Sequence, residues 1–222
     1  EMIKSVLAAA LIVISMPVMA KSVDWTPYLK GMQNECDLKS INANSVIGLS
    51  KGDIRQFKKS NMPKALQPSV ASYKVVGEGV DIRLKNAVAF GQPIYRIAER
   101  DEGWSNEFVV YFSNANFTKI KPQFTMTINN QKYPVGTEKS WFFTIKYNDD
   151  TEELTYVYRN TNMTSAQTQK VLKKINNDET GDYDDGLALV NKDGWSYNSP
   201  LGGSGLRFDT KTKSISCWSW SE

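Results

Sequence analysis

Histidine does not occur anywhere in the 222 residues. That absence removes Ser-His-Asp and Cys-His nucleophilic catalysis, histidine-ligated zinc, and the commonest general base near neutral pH. Cysteine is scarce as well, with Cys36 and Cys217 the only two. Charge of one sign is also lacking: 27 basic against 24 acidic residues leave a formal net charge of +3, interspersed along the chain. A nucleic-acid binder usually concentrates basic residues on one face, so nucleic acid is not an expected partner. No serine stands three residues before a lysine, which leaves no Ser-x-x-Lys string for a serine–lysine mechanism.

Long hydrophobic runs are missing too, except at the start. Met2-Ile3-Lys4 is followed by the apolar "SVLAAALIVISMPV" and then "VMA", with Val18 and Ala20 three and one residues before Lys21. A basic beginning, a short apolar stretch and small residues at the end have the form of a secretory signal peptide spanning residues 1–20. The alternative is an N-terminal anchor, but the run is shorter than the ~20 apolar residues that a spanning helix needs. Residues 21–222 are therefore expected to be an exported, soluble domain without a membrane span, placed in the periplasm. Export changes the reading of the cysteines. In an oxidising compartment an even count implies a disulfide, so Cys36 and Cys217 are expected to be bridged and neither to act as a nucleophile or metal ligand.

The remaining pattern is mixed. "DWTPYLKGMQNEC" (24–36) sets Trp25, Tyr28, Leu29 and Met32 at helical spacing, with Pro27 in the first turn. A second helix is expected over 49–61, where Ser50 can cap and Ile54 and Phe57 share a face. A third is expected over 164–177, with Val171, Leu172 and Ile175 as its stripe. From about residue 72 the period falls to two, in "SYKVV", "VDIRLKNAVAF", "PIYRIAER" and "EFVVYF". It does so again in "KSWFFTIKY" and "ELTYVYRN", with turn residues between. The expectation is an α+β fold: an antiparallel sheet with a few helices on one face. The order helix, strand, hairpin, strand recurs over 50–121 and 164–220, so two related halves are one reading. Chance similarity of hairpins is the other.

Gly-Trp-Ser occurs at 103–105 and at 194–196, each time leading into a strand that closes on phenylalanine. The second copy, "GWSYNSPLGGSGLRF", carries five extra residues. They suggest a binding loop over 198–205, with Pro200 and Leu201 at the tip, Gly202, Gly203 and Ser204 beside it, and Trp195 and Tyr197 at its base. Functional loops tend to ride on rigid scaffolds, and their length costs little stability. Trp218 and Trp220 stand at i and i+2 and so share a face. With Cys217 turned inward they point outward, as a second contact surface. Asp182, Asp184 and Asp185 form an acidic turn on the same half. They lack the alternating aspartate–glycine–glutamate order of a calcium loop, so no cofactor or metal is expected. Paired carboxylates at Asp101-Glu102, Asp149-Asp150 and Glu152-Glu153 fall in turns, where acidic residues normally face water, and not across a cleft.

No enzyme constellation emerges. Three functions stay open: a periplasmic binding or inhibitory protein that neutralises a toxin or cell-wall hydrolase by protein–protein contact; an accessory of envelope assembly or adhesion; and a carboxylate-dependent hydrolase of envelope polymers. The first is the favoured expectation, with another periplasmic protein as partner.

Overall fold

The structure is a computed structural model. It describes residues 21–37, 46–48, 56–128, 130–137, 140–148, 153–160, 185–199 and 202–221, with backbone alone for 144–148, 153–160 and 185–187. Of the expected helix at 49–61, residues 49–55 lie outside the described residues and the described end is helical only as the 3-10 turn Lys59–Asn61. The expected helix at 164–177 lies outside the described residues, as do Asp182, Asp184, Pro200 and Leu201.

Among the described residues thirteen strands run in chain order: β1 (Val23–Asp24), β2 (Val70–Val76), β3 (Gly79–Ala89), β4 (Gln92–Asp101), β5 (Ser105–Phe112), β6 (Thr125–Ile128) and β7 (Gln131–Pro134). They continue with β8 (Trp141–Asn148), β9 (Glu153–Asn160), β10 (Asp185–Asn191), β11 (Gly194–Ser199), β12 (Gly202–Asp209) and β13 (Ser214–Ser221). Eleven form one sheet in the order β1-β3-β4-β5-β13-β12-β11-β10-β8-β9, with β2 also on β3, while β6 and β7 pair by themselves. All pairings between strands are antiparallel except β1 with β3. The architecture is therefore sheet-dominated. Described helices are single turns only: α1 (Lys30–Gln33), α2 (Phe117–Ile120) and four short 3-10 segments.

Two four-stranded meanders, β2–β5 and β10–β13, meet where β5 pairs β13, with Cys217 opposite Phe108 and Ile215 opposite Val110. The two Gly-Trp-Ser strings occupy different positions in them. The first opens β5, the last strand of its meander, and the second opens β11, the second strand of the other.

Alternation in sequence becomes alternation of burial. Val80 and Ile82 of β3, Phe108 and Val110 of β5, Ile215 and Cys217 of β13, and Leu206 and Phe208 of β12 turn to one face and are buried there. Bulges in β3 (between Arg83 and Ala87) and in β4 (between Ile94 and Arg96) shift this phase by one residue. The inward positions move from Val80, Ile82 and Leu84 to Ala87 and Ala89.

The N-terminal segment covers that face. The expected helix over 24–36 is a 3-10 turn (Thr26–Tyr28) followed by α1, and Trp25, Leu29 and Met32 are wholly buried. The Trp25 indole N–H donates to Ser69 Oγ at 3.1 Å, which satisfies the one polar atom of a buried ring. Farther along, Phe90, Phe117, Phe124 and Phe208 pack edge to face at centroid distances of 5.1 to 5.5 Å. Such aromatic pairs add stabilisation beyond their buried area.

Cys36 and Cys217 are disulfide-bonded across 181 residues, with Cα atoms 5.4 Å apart. In a chain-entropy description, closing so long a loop stabilises the fold by about 5 kcal/mol. The Cys36→Ser/Cys217→Ser variant is expected to lose roughly 2–5 kcal/mol in urea unfolding. An unchanged midpoint and slope would show that the N-terminal segment docks without the bridge.

Candidate functional site

The tryptophans on β13 occupy the sheet face turned away from the core. Cys217 is wholly buried, and its neighbours at i+1 and i+3, Trp218 and Trp220, are half-buried on the opposite side. What lies beneath them explains their posture. Trp218 is paired with Gly205 and Trp220 with Gly203. A Cβ at Gly205 would lie 2.5 Å from Trp218 Cζ2, and one at Gly203 2.5 Å from Trp220 Nε1. The missing side chains let both indoles lie down across β12, and both glycines are buried there. This is the cross-strand aromatic–glycine pairing that shields backbone where a side chain is absent.

The expected loop over 198–205 is corrected by this geometry. Ser199 pairs with Gly202, Asn198 with Gly203, Tyr197 with Ser204 and Ser196 with Gly205. Residues 202–205 then pair with β13 on their other side. Glycine in this stretch serves close packing of indole on backbone, so the described part of the expected loop, 198–199 and 202–205, is strand, while its tip at Pro200 and Leu201 lies outside the described residues.

The expected site residues divide between the two faces. Trp195 is buried to 4% exposure opposite Leu206 and belongs to the core, and Tyr197 packs against the same core. Ser204, paired with Tyr197, shares that side. They form no base for the tryptophan surface. Gly203, Trp218 and Trp220 do come together on the outer face. Asp185 opens β10 opposite Lys146, one strand beyond β11.

The outer face continues across the meander seam. Trp218 stands opposite Glu107 and Trp220 opposite Ser105. Glu107 accepts a hydrogen bond from Arg100 Nη1 at 3.3 Å. Asp81 forms a two-pronged ion pair with Arg96, whose Nε donates at 2.9 Å and whose Nη2 also reaches it. The Arg96 guanidinium sits 4.4 Å above the centroid of Tyr111. The hydrogen bond that Arg96 donates to Asp81 raises the Arg96 pKa against a smaller opposing effect of burial. Between these long side chains, Ala98 and Val109 face one another and are buried, as is Ser216. At the far end, Arg207 donates to Asp209 at 2.8 Å, next to Gly205 at i−2. The Asp209 carboxyl is lowered to about 2, chiefly by the Thr212 backbone N–H and then by Arg207.

Trp104, at the Trp220 end of β13, is 62% exposed, and its carbonyl accepts the N–H of Ser221, the residue after Trp220. Sequence reasoning missed Arg100, Glu107 and Arg207 because their strand register with β13 is set by pairing over a hundred residues away for the first two. Alternation within β5 would place Glu107 outward, but nothing local sets it beside Trp218.

A polar recess of about 570 Å³ lies beside the disulfide, lined by Asn34, Glu35, Asp37, Thr125, Thr127 and Lys132. Glu35 Oε1 accepts the Thr127 N–H at 3.0 Å, which ties the N-terminal segment to β6. Among the described residues no group of three or more His, Cys, Asp or Glu side chains could hold a metal ion. Nor is any described helix long and apolar enough to cross a membrane. Comparison of the chain with protein-family models, curated proteins and solved structures finds no match.

Gly205→Val should leave unfolding cooperative while lifting the Trp218 indole off β12, which would shift tryptophan emission to longer wavelength. Identical emission spectra for the variant and the parent protein would mean that the indole does not rest on Gly205.

Proposed function

We propose that this protein is an exported binding protein of the periplasm that acts by contact with another protein, in the manner of an inhibitor or immunity protein, and that it performs no catalysis. The observation that carries this reading is the pair of half-buried indoles, Trp218 and Trp220, laid over Gly205 and Gly203 on a sheet face outside the core. Tryptophan presented rigidly, with arginine around it, is the composition of binding hot spots. Arg96, Arg100 and Arg207 supply the cationic part, each held by a carboxylate of the same face. Rings pinned to strands lose little conformational freedom when a partner closes over them.

Other supports are chemical. The chain has no histidine, and both cysteines are in one disulfide. Residues 1–20 have the form of a signal peptide, and a long-range disulfide fits an oxidising compartment. The contact surface is placed on Trp218, Trp220 and Gly203, with Glu107 and Arg207 beside them. The proposal for Trp195 and Tyr197 is reduced to support of the sheet from below. The same reading proposes an α+β molecule with helices on one face of the sheet and two related halves. Envelope assembly through the same face is the second reading. It is favoured by the size of the sheet, whose eleven described strands offer a broad surface.

A photo-crosslinking residue in place of Arg207, whose side chain is 66% exposed, tests the surface in periplasmic extract. The expected result is one discrete adduct that disappears when Trp218→Ala/Trp220→Ala is added to the same protein. A crosslinker at Lys211 should give none. Equal adducts at both positions, or an adduct indifferent to the tryptophans, would remove this face from the account. Turnover of peptidoglycan in a zymogram would promote the carboxylate hydrolase in its place.

A further inference from the structure

A second surface lies at the opposite side of the first meander. β2 is an edge strand: among the described residues it pairs with β3 alone. Six of its seven residues are exposed, including Tyr73 at 52%, Val75 at 47% and Val76 at 52%. Apolar residues on an open strand edge invite pairing with another chain.

The backbone of this edge has a definite pattern. Val76 pairs with Gly79 across the two-residue turn Gly77-Glu78, with Gly77 at φ +57°. Such a turn is closed by a hydrogen-bonded pair, and bonding then alternates along an antiparallel ladder. Val76, Lys74 and Ser72 thus direct their N–H and C=O groups to β3, whereas Val75 and Tyr73 direct theirs to the open edge. Side chains alternate as well. Tyr73 and Val75 pair with Ile82 and Val80, which are core residues, so they lie on the core side of the sheet. Phe57 packs on Tyr73 at a centroid distance of 4.0 Å. Lys74 projects from the other side, across from Asp81, whose carboxylate is held by Arg96.

We propose that β2 takes up an extended segment of another protein as an added antiparallel strand, and that this segment reads apolar–acidic–apolar. Its two apolar residues pair with Tyr73 and Val75 and prolong the core face. Its carboxylate stands directly opposite Lys74. The lysine also argues against a second copy of this chain as occupant. The register that uses both outward backbone pairs, Tyr73 with Val75 and Val75 with Tyr73, sets Lys74 against Lys74, and like charges directly opposite are destabilising. Register centred on Tyr73 instead brings in the bulge at Ala71, where the ladder is irregular. This surface is separate from the tryptophan face, and neither depends on the other.

The test uses a labelled peptide, Thr-Thr-Val-Glu-Val-Thr-Thr, and its Glu-to-Lys counterpart, titrated into the whole protein and followed by anisotropy and amide exchange. The expected result is saturable binding, about fivefold tighter for the glutamate peptide, with new protection at the Tyr73 and Val75 amides. Lys74→Glu should reverse the preference, an outcome that damage to the fold does not produce. Val75→Pro removes an outward N–H from an edge strand, where proline is tolerated, and should abolish binding. Absence of binding at millimolar peptide, equal affinity for both peptides, or an unreversed preference in Lys74→Glu would each overturn the proposal. So would sedimentation showing a dimer of the protein that the glutamate peptide dissociates, which would assign the edge to self-pairing.

Discussion

The fold depends on one covalent contact placed at the seam between its two meanders. Cys217 lies on β13, the strand that pairs β5 of the first meander on one side and β12 of its own on the other. From there the bridge reaches back 181 residues to Cys36 and fastens the N-terminal segment over the sheet. Without that segment, the inward faces of β3, β4 and β5 would lack Trp25, Leu29 and Met32 as cover. The bridge and the pleat together also fix what lies on the reverse side. Because Cys217 must point into the core, Trp218 and Trp220 must point out of it, since successive strand residues face opposite ways.

A rigid outer face follows from the same constraint. Long antiparallel ladders on both sides of β13 hold its backbone, glycines under the indoles fix the rings, and ion pairs fix the neighbouring arginines. Exposed ion pairs such as Arg207–Asp209 contribute little stability. Their effect here is to order side chains near the tryptophans, which is a matter of recognition more than of folding. The β2 edge has a different character. There, among the described residues, the ladder stops at β2, whose residues are mostly exposed.

Much of this was legible in the sequence, where local alternation carried the information. The two-residue period predicted the strands from residue 72 onward, the i and i+2 relation of Trp218 and Trp220, and their direction relative to Cys217. The disulfide followed from the cysteine count and the expectation of an exported chain. The glycine-rich stretch was misread because composition alone does not distinguish a flexible loop from a strand paved with glycine for an aromatic neighbour. That distinction requires the register of β12 on β13, a tertiary fact. For the same reason Trp195 and Trp104 carry the same Gly-Trp-Ser context yet end at 4% and 62% exposure. A residue at a hairpin start is turned inward or outward by the strands packed around it.

Hydroxyl-radical footprinting of the six tryptophans, in the free protein and in periplasmic extract, bears most directly on the claim that the outer face is the contact surface. The account predicts that Trp218 and Trp220 lose reactivity in extract while buried Trp195 stays unreactive in both states. Undiminished labelling of Trp218 and Trp220 in an extract where the protein is shown to be in complex would contradict it.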